Sequence, residues 1–190
     1  MGPDALAILD GSHRMTYREL NQRANTLARR LSESGLSRGA LALVRMPRGS
    51  ELAVVLLGVL KAGACYAWIE PGSAEDQGAL SASFCILRGR SGSEDRYIAV
   101  DVNPALRESA TQPGPNLPVL ARGSDIACVL PDGNGRPHVL VPHATITALP
   151  KASVPWREWE STPGALDLWL GLMSGATLAI GVSSPAAAAA

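Results

Sequence analysis

Apolar residues recur at helical spacing near the start of the chain. Tyr17, Leu20, Ala24, Leu27 and Leu31 fall on one face of a helix predicted over Tyr17–Ser34, and Arg18, Arg23, Arg29 and Arg30 fall mostly on the other, solvated face. Thr16 followed three residues later by Glu19 supplies a capping box, and Gly35 ends the helix by tolerating a left-handed backbone. A buried strand is predicted at Ala40–Met46, between Gly39 and Pro47. Ser50 is expected to cap a second helix, Glu51–Ala62, that is apolar on nearly every side. Gly63 closes it, and Ala64–Ile69 reads as the next strand before Glu70-Pro71-Gly72 turns the chain. Strand, helix and strand in this rhythm predict a βαβ unit, hence a parallel sheet with helices on its faces.

The pattern loosens from Ser73. A short helix is predicted near Glu75–Ser83, with strands at Phe84–Leu87 and Tyr97–Val100 and the polar loop RGRSGSED between them. Asn103–Ser124 holds four prolines and little periodicity, and reads as a long surface connection. Asp125–Leu130 and His138–Val141 are predicted strands flanking a glycine-bearing turn. Pro150–Gly164 reads as irregular, Ala165–Met173 as a short helix and Ala176–Ile180 as a strand. No internal repeat is visible. Residues 1–181 are taken as one domain and residues 182–190, SSPAAAAA with its preceding Val182, as a disordered or artificial tail.

Composition narrows the class. A 46% hydrophobic content in 190 residues suits one folded domain with a single core, built on Leu, Val, Ile and Ala because aromatics make up only 4%. Seventeen basic and seventeen acidic residues cancel, which removes the broad electrostatic reason to expect nucleic acid or an anionic membrane as partner. Cys65, Cys85 and Cys128 share no CxxC spacing and each lies in an apolar stretch, as reduced core thiols do. The opening MGPDALAILD lacks a basic start and a long apolar run, and the longest apolar stretch is too short to span a bilayer, so a cytoplasmic location is expected.

The most informative segment is ACVLPDGNGRPHVLVPH, Ala127–His143. A loop that cradles phosphate needs backbone N–H groups that converge, hydroxyls that add donors and usually a Lys. This turn offers Asp132, Gly133, Asn134 and Gly135, with no Ser, Thr or Lys between Leu130 and Pro142, and Asp132 adds a negative charge. Other chemistries fare no better. His138 and His143 are five apart across a Pro-bearing strand end, and with His13 they lack a completing Cys or carboxylate, so no metal site is expected. A G-x-S-x-G elbow and a G-x-G-x-x-G fingerprint are both absent. Trp68 and Trp169 read as core residues. Trp156 and Trp159, in the irregular segment, read either as lids on the core or as an exposed docking surface.

Three segments in order resemble the adenylate-forming superfamily, specifically the amino-acid-activating adenylation domains of nonribosomal peptide synthetases. MTYRELNQRANTLARRLSESGL at Met15–Leu36 is similar to that family's L-T-Y-x-E-L-N-x-x-A-N-x-L-A-x-x-L helix. VVLLGVLKAGACYAWIEP at Val54–Pro71 resembles its L-K-A-G-x-A-Y-x-P-x-D-P signature, and LMSGATLAI at Leu172–Ile180 resembles its A-L-L-S-G-A-x-L-V-I. The resemblance runs from Pro3 to Ile180, weakest over Ser73–Ser124. It implies an α/β fold, a mostly parallel sheet flanked by helices, like the N-terminal subdomain of those enzymes.

The resemblance also implies what is missing. In the family, DLAYxxYTSGTTGxPKGVxxxH wraps the phosphates of ATP, and Asp125–His143 is its counterpart. There TSGTTG is shortened to Asp132-Gly133-Asn134-Gly135, and the Lys after Pro is His138. The family's Phe-Asp pair, whose Asp holds the substrate α-ammonium, is matched by Ser161-Thr162, while Asp167 aligns with a position that is usually Glu. Nothing after Ile180 corresponds to the ribose-binding Asp, the hinge or the C-terminal subdomain with its catalytic Lys. The expectation is a truncated, degenerate adenylation-like domain with no catalytic residues, not an enzyme, binding neither the ATP nor the Mg²⁺ of its family. It would serve as a structural or docking element beside condensation, carrier or tailoring domains of a peptide-synthetase or hybrid assembly line. Two alternatives stay open: a fragment of a split adenylating enzyme completed by a partner, and a small-ligand-binding module using a residual pocket.

Overall fold

The computed structural model describes residues 2–72, 84–87, 98–112, 114–131, 137–149, 156–159 and 165–181. Its six-stranded sheet is built around β3 (Leu41–Arg45), a run of apolar residues with Ala42 and Val44 on one face and Leu43 on the other. β4 (Cys65–Ile69) and β5 (Phe84–Leu87) pair parallel to β3 on its two sides. Beyond β5 lies β6 (Ile98–Asp101), and beyond β4 lies β7 (Ile126–Pro131), both parallel. β8 (Pro137–Pro142) closes the order β6-β5-β3-β4-β7-β8 as an antiparallel edge.

A second, four-stranded sheet was not foreseen in the sequence. β1 (Leu6–Asp10) turns through Gly11 into β2 (His13–Thr16), and it pairs parallel with β10 (Thr177–Ile180), which in turn pairs parallel with β9 (Trp156–Glu158). Residues near the two ends of the chain therefore share one sheet.

Helices α1 (Tyr17–Glu33) and α2 (Ser50–Lys61) form the layer that ties both sheets into one core, with Ile8, Leu27, Val44, Leu56, Tyr66 and Leu178 in the same cluster. The capping box is formed as expected: the Glu19 N–H donates to Thr16 Oγ1 at 3.2 Å, and the Thr16 N–H to Glu19 Oε2 at 2.7 Å. The two helices approach closely at Gly58, where an added Cβ would lie 3.0 Å from Leu27 Cδ2.

Several expectations need correction. Ser50 does not cap α2; it is the first helical residue, and its own N–H donates to Asp10 Oδ2 at 2.8 Å. A carboxylate at the end of β1 thus replaces the local cap. Asn103–Ser124 is not a plain connection, because Asn103–Thr111 forms helix α3. Pro104 stands in its first turn, where the missing N–H costs nothing, and buried Leu106 and Ser109 face the body of the protein. Arg30 of α1 anchors it by gripping Glu108 at 2.6 and 2.7 Å. Helix α4 (His143–Ala148) and the short strand β9 were also unforeseen, and helix α5 spans Leu166–Ser174. The helix predicted at 75–83, the loop at 88–95 and the tail at 182–190 lie outside the described residues.

Candidate functional site

The hairpin singled out in the sequence exists as two strands. β7 and β8 pair antiparallel, with Cys128 opposite Val141, Val129 opposite Leu140, Leu130 opposite Val139 and Pro131 opposite Pro137. Asp132, Gly133, Asn134 and Gly135, which join them, lie outside the described residues, and for His138 only its place in β8 is described.

The base of the hairpin is closed by hydrogen bonds around Asp125. Its Oδ2 accepts from the Arg122 N–H at 2.9 Å and from Arg38 Nη2 at 2.7 Å, and its carbonyl accepts from the His143 N–H at 3.0 Å. The Arg122 N–H, then the Arg38 guanidinium, hold the Asp125 carboxyl below its usual range. Burial lowers the His143 imidazole against the pull of the Asp125 carboxylate, favouring its neutral form. Arg38 is therefore committed to a carboxylate at the foot of the hairpin.

Lysine is scarce as well. The chain has Lys61 and Lys151 only. Lys61 ends α2, with its ammonium bonded to Asn21 Oδ1 at 2.8 Å and its pKa lowered by burial. Lys151 lies outside the described residues. A phosphate-binding donor set of hydroxyls and a Lys does not fit the residues at this turn.

The tryptophans divide differently from the expectation. Trp159 is not on an exposed surface: it is 2% exposed, its ring centroid 6.3 Å from that of Trp68. Its backbone N–H donates to the Ala179 carbonyl at 2.9 Å, and its own carbonyl accepts from Arg48 Nη1 at 3.2 Å. It is a lid on the core, fixed by the pairing of β9 beside β10, so docking through its indole is set aside. Trp156 pairs with Thr177 in that ladder, and its side chain is outside the described set. Trp68 and Trp169 are core residues as expected. Ser161 and Thr162 lie outside the described residues, and Asp167 is near Arg157 at 3.9 Å.

Two surface features had no signal in the sequence. A cleft of about 390 Å³ at the start of α2 is lined by Asp10, His13, Arg23, Arg48, Ser50 and Glu51, brought together from β1, β2, α1 and the β3–α2 turn. Its charges are mixed, and Asp10 and Arg48 already have protein partners. A wider groove of about 620 Å³ is lined by Leu41, Cys65, Ile126, Val129 and Leu140, with Arg38 and Asp125 at its rim. Among the described residues no cluster of three or more potential metal ligands occurs, and no helix is long and apolar enough to cross a membrane. Cys65, Cys85 and Cys128 are all buried.

Comparison with known proteins follows the same lines. The AMP-binding family model, described as AMP-binding enzyme, matches residues 1–83. Bacitracin synthase 1 of Bacillus licheniformis is 44% identical over 75 residues, 40% of this chain and 1% of that protein. Tyrocidine synthase 3 of Brevibacillus parabrevis is 32% identical over 186 residues, 90% of this chain and 3% of that protein. The solved N-terminal subdomain of Klebsiella oxytoca NpsA, in complex with 3-hydroxybenzoyl-AMSN, superposes with a TM-score of 0.77 at 24% identity, covering 98% of this chain and 53% of that one. The chain spans no more than 3% of those two synthetases and about half of that solved subdomain. In fold it is an α/β structure of the kind found in the N-terminal subdomain of adenylate-forming enzymes, and in sequence it is adenylation-domain-like.

Proposed function

We propose that this chain is a catalytically silent adenylation-like domain, retained as a structural or docking element of a nonribosomal peptide or hybrid assembly line. The observation that carries the reading is chemical. Between Leu130 and Pro142 there is no Ser, Thr or Lys, and Asp132 stands where a nucleotide phosphate would need donors. Adenylation stabilises a phosphoryl-transfer state through positioned cations and donors. The commitment of Arg38 to Asp125 supports the same conclusion, since that guanidinium is already neutralised at the foot of the hairpin. The scaffold around the turn stays intact: the capping box, the α1–α2 contact and the parallel ladders keep the matched fold while the loop chemistry is gone. Its partners are neighbouring condensation, carrier or tailoring domains.

Isothermal titration with ATP–Mg²⁺ tests the reading. No heat of binding is expected up to millimolar nucleotide, and binding at micromolar affinity would falsify it. A split adenylating enzyme completed in trans is the second reading. It requires amino-acid-dependent pyrophosphate exchange to appear when the complementary polypeptide is added. A partner cannot replace backbone and hydroxyl donors inside a hairpin turn, which is why the silent reading is preferred.

A further inference from the structure

Arg23, on the second turn of α1, is half-buried with no carboxylate against it. Its Nε–H is buried without an acceptor, and among the described residues its guanidinium makes no hydrogen bond or ion pair. A charge so placed normally has a partner, because drawing it out of water is costly without one. Two carboxylates act on it through space, Glu51 and Glu19, yet burial outweighs them and lowers the Arg23 pKa. Glu19 is engaged elsewhere, its Oε2 accepting from the Thr16 N–H at 2.7 Å and the Thr16 hydroxyl at 2.9 Å. Glu51 lines the same cleft as Arg23 without touching it.

That cleft, at the start of α2, is one of two that meet at Arg23. The second, of about 370 Å³, is lined by Arg14 and Met15 of β2, Glu19 and Gln22 of α1, and Ser109 of α3. His13, Arg23 and Ala110 line both and form the boundary between them. A cation and an anion therefore share the walls of one space with no direct contact between them. An occupant has to bring an acceptor to the guanidinium, whose planar fork suits a carboxylate. It also has to bring a positive charge, because Glu51 and Glu19 oppose a plain anion, and a polyanion more so. The first N–H of α2 is taken by Asp10, so the helix end is not the anchor. We infer that the paired clefts bind a small zwitterion, a carboxylate joined to an ammonium by a short chain, with the carboxylate on Arg23 and the ammonium toward Glu51. The site shares no residue with the β7–β8 hairpin and does not depend on the silent reading.

The test titrates the full chain, labelled with nitrogen-15, with glycine, β-alanine and 4-aminobutyrate, which carry the same two charges at increasing separation. The Arg23 Nε–H resonance, assigned by its loss in Arg23→Met, is expected to shift with at least one of them at millimolar concentration. The N-acetyl and carboxamide derivatives of the best binder, each lacking one charge, should bind roughly tenfold more weakly. Glu51→Gln should erase the preference over the N-acetyl derivative. Arg23→Met keeps most of the stem and removes an unpaired charge, so the thermal midpoint of the free chain should hold or rise, while the upward shift caused by the zwitterion should vanish. No movement of the Arg23 resonance with any of the three up to tens of millimolar would overturn the inference. So would binding that survives Arg23→Met, an N-acetyl derivative that binds equally well, or a midpoint that falls in Arg23→Met, which would make the guanidinium a structural group. Nucleotide binding at the hairpin would overturn the silent reading and leave the Arg23 resonance where it is, so the two can fail separately.

Discussion

The indole N–H of Trp169 donates to the phenolic oxygen of Tyr66 at 2.6 Å, deep in the core and across 103 residues of sequence. Tyr66 belongs to β4 of the six-stranded sheet, and Trp169 to α5, which packs on β10 of the other sheet. Their rings are 6.3 Å apart and tilted by 44°. The bond is a strut between the two sheets, and burial pushes the Tyr66 hydroxyl well above its ordinary pKa, keeping the phenol neutral.

Removing the phenolic oxygen should therefore expose the fault. In Tyr66→Phe the Trp169 N–H loses its acceptor without gaining water, at a cost of about 1–3 kcal/mol. Urea unfolding measures it, and the fall in midpoint should come without a change in slope. Combining Tyr66→Phe with Trp169→Phe should cost less than the sum of the single changes, since the second substitution removes the stranded donor. Strict additivity would mean the bond contributes nothing of its own.

Asp10 and Ser50 yield a sharper contrast. The Asp10 carboxylate receives the first N–H of α2, so Asp10→Ala should destabilise by about 0.5–2 kcal/mol, the usual range for a lost cap. Ser50→Ala should cost less, because the Ser50 hydroxyl is not the cap. Paired thermal melts of the two variants decide which residue holds the helix.

This reversal marks the boundary of what the sequence makes legible. The period of Leu20, Ala24, Leu27 and Leu31, the Thr16–Glu19 pair and the apolar runs of β3 and β4 are local signals, and each element stands within about a residue or two of its predicted bounds. Asp10 capping a helix forty residues away is a tertiary contact with no local trace. Helix α3 is hidden for another reason: its nine residues bury little more than Leu106 and Ser109, and Pro104 resembles a breaker until its first-turn position is known. The second sheet depends on β1 meeting β10 across the length of the chain, which no periodicity encodes. At the candidate site, the absence of hydroxyls and Lys from the turn is legible as composition alone. The grip of Arg38 on Asp125, 87 residues apart, needed the fold.

Gly58 tests the packing of α1 on α2. A methyl group there would meet Leu27 at 3.0–3.3 Å, and a branched side chain would meet more of it. Gly58→Val is expected to cost about 1–3 kcal/mol by overpacking. Gly58→Ala should be milder, because the better helix propensity of Ala, worth about 1 kcal/mol, offsets part of the clash. Restoring stability in Gly58→Val by Leu27→Ala would place the strain between these two residues. An additive double variant would place it elsewhere.

The buried thiols set the alkaline limit of stability. Desolvation raises the Cys128 thiol to about 11 from an ordinary value of 9.0, and burial raises the Tyr17 phenol to about 12 from 10.0. A thiol that ionises at 9 in the unfolded chain and at 11 in the folded one leaves the folded state holding the extra proton between those values. Stability is then full below about pH 9 and falls as pH rises toward 11, with the Tyr17 contribution lost one step higher. Thermal midpoints measured from pH 8 to 11 should decline, and the decline should flatten in Cys128→Ala, even though that variant starts lower for want of the buried sulfur. The same ionisation predicts that folded Cys128 reacts far more slowly with a disulfide reagent at pH 8 than the urea-unfolded chain does. Equal rates in the two states would show that the thiol is not shielded, and a midpoint indifferent to pH over this range would show that its burial does not perturb it.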